Sequence, residues 1–372
     1  MGEKEPQEKP RSQRKMIRLN DIASRVFNDD GKRLWFAPLV GASLLYRAGV
    51  SLRNYLYDTG ILPARKVSCR VISVGNIMVG GTGKTPTVIM LARMLKKRGW
   101  RPAVLSRGYG GKRGKDIGVV SDGCRILMDP REAGDEPVLI AHSIPEVPVI
   151  VASDRVRAGR VALERFGTDV LILDDGFQHR RLARDIDMVL LDGNRPFGNG
   201  FLLPRGGLRE PRRSLRRADV VILTATERGH ALSLGDHYHG PVFTARRRPV
   251  ELVKGRAGKT YAFGCLSGKK VCAFSGIAHP QSFRDTLVPL CSEITAFLPF
   301  PDHYAYTAAD IAHIRKTFGE SGAEVLVTTE KDGIKLKGFA DFFSEVYQLR
   351  VKMEITDTQA PFERQIMTRL KR

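Results

Sequence analysis

Short apolar runs alternate with longer amphipathic ones from residue 70 to near the end of the chain. Runs at 71–74, 103–106, 147–151, 170–173, 188–191 and 220–223 are rich in Val, Ile and Leu and predict strands. Between them, 85–97, 136–142 and 155–165 place apolar residues at helical spacing. Short apolar strands separated by helices predict a mostly parallel sheet covered on both faces, an α/β fold. A second series follows, with strands at 271–274, 293–298, 325–328 and 346–349 and helices around 281–287 and 308–318. It predicts a smaller α/β lobe that closes over the ligand of the first.

The N-terminal part obeys neither pattern. Residues 1–30 are dominated by Lys, Arg, Glu and Gln, the composition of a disordered extension. Residues 34–46 then run without a charge until Arg47. A membrane-crossing helix needs ~20 apolar residues, and this stretch is shorter. Its aromatics (Trp35, Phe36, Tyr46, Tyr55, Tyr57) and the basic Arg47 and Arg53 fit a helix lying in a bilayer interface; an amphipathic helix packed on the protein body fits equally. The expected division is an extension at 1–30, an amphipathic membrane-associating helix at 31–66, a core domain at 67–240 and a smaller lobe at 241–372.

Composition changes the picture in one respect. The proportions of apolar and charged residues are those of a soluble globular protein, but 61 Lys and Arg against 40 Asp and Glu leave a net charge of +21. That excess implies an anionic partner: nucleic acid, an acidic lipid surface or a polyphosphate. Cys69, Cys124, Cys265, Cys272 and Cys291 include no C-x-x-C pair, which argues against both a disulfide framework and a zinc site and points to a reducing cytoplasm. The polar, charged residues 2–18 lack the apolar core of a secretory signal.

The chemistry centres on Met78, Val79, Gly80, Gly81, Thr82, Gly83, Lys84 and Thr85, between a predicted strand and a predicted helix. Glycines let backbone N–H groups curl around a phosphate, Lys84 adds a mobile charge, and the Thr85 hydroxyl is placed to ligate Mg²⁺. The helix contributes its positive dipole end. This is a mononucleotide P-loop, with Met78 where the first glycine usually stands. The strand at 170–173 ends in Asp174 and Asp175, the Walker B arrangement that brings a carboxylate beside the metal. Transfer to an alcohol also needs a base, and Asp135 in Gly134-Asp135-Glu136-Pro137 is the candidate; the same residues read equally as a helix start with Asp at the N-cap. Finally, seven arginines but only one acid, Glu210, lie between Arg195 and Arg217. Arginine suits bidentate phosphate binding.

These motifs, in order, resemble the tetraacyldisaccharide 4'-kinases of lipid A biosynthesis. The resemblance rests on Ser73-Val74-Gly75-Asn76 with the P-loop, Ser106-Arg107-Gly108-Tyr109-Gly110, Gly134-Asp135-Glu136-Pro137 and Ser153-Asp154-Arg155. It continues through Asp174-Asp175-Gly176-Phe177-Gln178-His179, Leu208-Arg209-Glu210-Pro211, Ser275-Gly276-Ile277-Ala278, Phe300-Pro301-Asp302-His303-Tyr304 and Thr329-Glu330-Lys331-Asp332. It implies a P-loop fold, ATP and Mg²⁺, an acylated disaccharide 1-phosphate lipid as acceptor, and a peripheral or monotopic protein on the anionic, cytoplasmic face of the inner membrane. Carried over by motif, Asp135 is the acid–base residue with His303 its partner across the closing lobes. Thr85, Asp174 and Asp175 face Mg²⁺, and Tyr109, Arg155, Gln178, Arg209 and Glu210 contact substrate. Residues 329–332 are candidates for the adenine ring. A nucleic-acid-dependent ATPase is the alternative that the charge leaves open, although aromatics are not interleaved with the arginines of 205–217. A membrane-positioning dimer ATPase would carry a Lys where Val79 stands.

Overall fold

The apolar runs of the first half become strands that are buried along nearly their whole length, whereas the edge strand at 293–299 is only half-buried. A computed structural model describes residues 37–111, 116–224, 234–255, 258–356 and 359–371. The extension at 1–30, together with Trp35 and Phe36, lies outside the described residues. The first half of the chain forms β1 (Arg70–Asn76), β2 (Pro102–Ser106), β3 (Gly118–Ser121), β4 (Val149–Val151), β5 (Val170–Asp174), β6 (Ile186–Asp192) and β7 (Val220–Thr224), of which the apolar pattern does not predict β3. The second forms β8 (Val242–Lys254), β9 (Lys259–Tyr261), β10 (Lys270–Ser275), β11 (Glu293–Pro299), β12 (Val325–Thr329) and β13 (Tyr347–Ile355), of which the pattern does not predict β8 and β9.

Among the described residues all of these strands join one sheet, in the order β11-β10-β12-β13-β8-β7-β6-β1-β5-β2-β4-β3, with β9 on β8. From β4 to β8 neighbours are parallel, and so are those from β13 to β11. The two parallel halves meet in the antiparallel pair β8–β13. A register shift between Arg350 and Val351 lies opposite Pro249, which has no N–H to give the ladder. The strand β8 escapes the sequence pattern because it carries Arg246, Arg247, Arg248 and Pro249 in its middle.

Helices cover the sheet: α1 (Ala37–Asp58), α2 (Lys84–Lys97), α3 (Pro130–Ala133), α4 (Asp135–Ser143), α5 (Arg155–Phe166), α6 (Pro280–Leu287), α7 (Ala308–Glu320), α8 (Glu330–Lys335), α9 (Ala340–Glu345) and α10 (Gln359–Lys371). Helix α2 buries Val88, Leu91, Ala92 and Leu95 against the sheet. Helix α10, which the strand–helix pattern does not predict, returns to the first half: Phe362, Ile366 and Leu370 share a core with Ile72 and Val74, and Phe362 meets Phe243 edge-on at 5.2 Å.

Helix α1 packs through a polar face. Its buried residues are Ser43 and Asn54; Ser43 Oγ donates to the Leu202 carbonyl (2.8 Å) and Asn54 Nδ2 to Glu210 (2.7 Å). Leu44, Leu45, Leu52 and Tyr55 are exposed, Leu45 at 78%. The helix therefore docks on the body, with Tyr46 half-buried and donating to the Arg209 carbonyl (3.1 Å), and leaves these four apolar side chains on the outside.

Candidate active site

The phosphate cradle follows β1 directly. Asn76, the last residue of β1, donates from Nδ2 to Thr82 Oγ1 (3.1 Å), and Gly83 caps α2 with φ +89°. The positive φ favours glycine there, and a Cβ would also press on the flexible end of Met353, 2.6 Å away at Cε. The close neighbours come from the far half of the sheet. Arg247 on β8 donates from Nη2 to the Gly81 carbonyl (2.5 Å), and the His279 ring stands over Gly80. Met78 and Val79 face away; Val79 N–H donates to the Gly207 carbonyl (2.8 Å), and neither residue lines the cavity described below.

β5 pairs with β1, bringing Asp174 level with Val74 at the carboxyl edge of the sheet. Asp174 is buried and accepts from Ser106 Oγ (2.9 Å) through Oδ2, while Oδ1 has no hydrogen-bond partner among the described residues. Burial, and then Glu136 and Asp175, raises its carboxyl above the ordinary range. Asp175 adopts φ +50°, and its carboxylate lies 3.5 Å from Lys84 Nζ and accepts from Arg209 Nη1 (2.8 Å). Burial opposes ionisation of Asp175, but Lys84 and Arg209 outweigh it and hold the group below its usual range. No cluster of three or more His, Cys, Asp or Glu suited to holding a metal alone occurs among the described residues. The buried, unpartnered Oδ1 of Asp174, at the carboxyl edge of the strand next to the one that leads into the P-loop, nevertheless fits Mg²⁺, which takes one or two protein oxygens and completes its shell with phosphate and water.

Gly134 rather than Asp135 is the N-cap of α4, with φ +89° and its Cβ position 2.3 Å from the Tyr109 carbonyl. The N-cap reading of Asp135 therefore fails: its carboxylate turns away from its own helix. Both of its oxygens lie within hydrogen-bond distance of His303 Nδ1 (3.0 and 3.1 Å), with Lys335 Nζ at 3.6 Å and Lys331 Nζ at 4.0 Å. Burial raises the Asp135 carboxyl, but the His303 hydrogen bond and the two ammonium groups prevail and hold it well below the usual range. His303, at φ +56°, is raised, first by its bond to Asp135. The pair spans both halves of the sheet and is in contact in this structure.

The P-loop, Asp175, Arg209, Arg247 and His303 face one cavity of about 600 Å³, while Asp135 and Asp174 lie buried behind its wall. Residues 80–86, Tyr109, Asp175, Arg209, Asp302 and His303 line it. Lys84, Arg93, Arg209, Arg247, Lys331, Arg350 and Lys352 outnumber Glu136, Asp175, Asp302 and Glu330 there, the excess expected of a polyphosphate site. Away from the P-loop glycines, Ile89, Leu139, Phe283, Leu349 and Val351 supply apolar walls.

The other expected substrate contacts divide. Tyr109 and Arg209 line the cavity. Arg155 is buried with its Nη1 donating to the Ala152 carbonyl, and Gln178 donates to the Asn76 carbonyl (2.9 Å) just behind the cradle. Glu210 stands apart: 1% exposed, it accepts from Asn54 and from Arg217 (3.0 Å) and joins α1 to the body. The arginine run divides as well: Arg205 is buried and Arg209 and Arg217 are half-buried, whereas Arg195, Arg212, Arg213 and Arg216 are exposed; Arg205, Arg212 and Arg217 stack over Phe201, Phe197 and Phe177. In the 329–332 segment, Asp332 is fully buried, accepting from the Gly276 N–H (3.0 Å) and Thr329 Oγ1 (2.7 Å), while Thr329, Glu330 and Lys331 line the cavity. Sequence reasoning gives no role to Arg247, Lys335 or Asp302. For Arg247 the signal is the period of two along β8: Arg246 and Arg248 pair with exposed Glu354, so Arg247 points to the opposite face.

Comparison with known proteins gives a consistent picture. The family model described as tetraacyldisaccharide-1-P 4'-kinase matches residues 35–371. The chain is similar to the tetraacyldisaccharide 4'-kinase of Syntrophus aciditrophicus, 49% identical over 95% of this chain and the whole of that protein. It is 45% identical to that of Anaeromyxobacter sp. strain Fw109-5, over 82% of this chain and 84% of the relative. Among solved structures it resembles LpxK from Aquifex aeolicus in complex with ATP, with a TM-score of 0.74 and 36% identity over 91% of this chain and all of that one.

Proposed function

The chain belongs to the tetraacyldisaccharide-1-P 4'-kinase family, and from that premise we propose how its residues transfer the γ-phosphoryl group of ATP to the 4'-hydroxyl of a tetraacylated glucosamine disaccharide 1-phosphate. The product is the bis-phosphorylated lipid A precursor. The observation that carries the reading is a single cavity with a P-loop on one wall and His303 on another, with Asp135 buried directly behind the His303 ring and hydrogen-bonded to it. Loop amides and Lys84 hold the β- and γ-phosphates, and Arg209 and Arg247 add positive charge around them. Ile89, Leu139 and Val351 offer the base an apolar seat. Asp174 and Thr85 would hold Mg²⁺, which neutralises charge on the transferring phosphoryl group when bound. Asp135 accepts the proton of the attacking hydroxyl, and His303 orients its carboxylate.

An acylated acceptor lies in a membrane, and no helix among the described residues is long and apolar enough to cross one. The proposal is that α1 rests on the anionic, cytoplasmic face of the inner membrane through Leu44, Leu45, Leu52 and Tyr55. Purified protein supplied with ATP, Mg²⁺ and the acylated disaccharide 1-phosphate is expected to yield a lipid heavier by one phosphoryl group in mass spectra. Absence of that lipid from protein that binds ATP would refute the reading.

A further inference from the structure

The helix after β12 carries a cation that the proposed mechanism does not use. Lys331 Nζ lies 3.1 Å from Asp302 Oδ1, 3.4 Å from Glu136 Oε1 and 3.5 Å from His303 Nε2. An ammonium group only donates. Its contact with Nε2 therefore favours a lone pair there, and the Asp135 carboxylate, which only accepts, favours the ring proton on Nδ1. Asp302 Oδ2 stands 3.7 Å from the same Nε2 and asks the opposite, a proton on that nitrogen. Two groups of opposite charge thus compete for one atom.

We propose that Lys331 is a positioning residue that fixes His303 as the neutral Nδ1–H tautomer, so that Asp135 receives a hydrogen bond from a neutral ring and stays basic enough to take the acceptor's proton. A charged imidazolium at 3.0 Å would instead neutralise Asp135. The proposal rests on the reading of Asp135 as the base. The charges facing the ring are Asp302 on its own loop, Asp135 and Glu136 on α4, and Lys331 and Lys335 on α8. Within that set the Asp135 hydrogen bond raises the proton affinity of His303 and prevails, Asp302 adds to it, and Lys331 opposes both. Removing the cation should therefore raise the pH at which the ring charges, and removing Asp302 should lower it.

The test is ¹⁵N-histidine NMR of the full chain, with the His303 signal assigned by its loss in His303→Gln, alongside kcat against pH. The neutral ring is expected to show the Nδ1–H pattern. Lys331→Met, which keeps the aliphatic stem, should move the His303 titration and the acid limb of kcat upward by about one pH unit. Lys331→Arg should restore both, and Asp302→Asn should move them downward. An Nε2–H tautomer in the unsubstituted protein, or shifts of the same sign in Lys331→Met and Asp302→Asn, would overturn the proposal. The NMR titration needs no turnover, so failure of this assignment is distinguishable from failure of the kinase reading, which would appear as the absence of phosphorylated lipid.

Discussion

Asp175 and His303 share a left-handed backbone, a conformation that costs a non-glycine residue on the order of 1–3 kcal/mol. Both stand in the proposed site, and ion pairs or hydrogen bonds to other elements over-determine each of them. Asp135 adds a pH signature. Its carboxyl lies below the ordinary range in the folded protein, so the stability it contributes is fully present above its unfolded value of about 3.9 and is lost as pH falls through the folded one. Asp135→Asn should therefore flatten the decline of unfolding free energy below about pH 4, measured by urea titration; an unchanged slope there would show that the carboxylate is not held as described. The P-loop and the paired aspartates were legible because their chemistry is local, fixed by spacing within one strand–turn–helix. Lys331, Lys335 and Arg247 were not, because the lysines reach α4, with Glu136 195 residues from Lys331, and Arg247 reaches Gly81, 166 residues away, from a strand that did not read as one.

At the scale of elements, the first series of strands was legible because parallel strands are apolar on both faces. β8 was not, since its three arginines and proline break the apolar run. Helix α1 was legible as a helix but not in its orientation: apolar residues occupy most of its circumference, and only the buried Ser43 and Asn54 reveal which side docks. Burying a leucine gives about 1.5–3 kcal/mol, so the outward leucines are strong anchors if they enter lipid. Leu45→Glu combined with Leu52→Glu should reduce co-sedimentation with anionic vesicles by at least about tenfold, since 1.4 kcal/mol already corresponds to that factor, while circular dichroism stays unchanged. Undiminished vesicle binding would remove α1 from the membrane contact.

For the whole molecule, the site exists because two oppositely running parallel halves are hydrogen-bonded into one sheet through β8 and β13. Each half contributes one member of the central pair, Asp135 from α4 and His303 from the loop after β11. The core likewise crosses residue 240, since α10 packs among residues of the first strands. That long-range wrapping is invisible to local periodicity, which reads only two successive series of strands and helices. The account requires Asp135 to act in chemistry and not in nucleotide capture. The most direct measurement compares Asp135→Ala with the unsubstituted chain for turnover of the acylated disaccharide 1-phosphate and for ATP affinity by calorimetry. Turnover is predicted to fall at least about 100-fold, the scale of a lost general base, with ATP affinity changed by less than about threefold. Turnover within a few-fold of the original, or a loss explained by weaker ATP binding, would contradict the account.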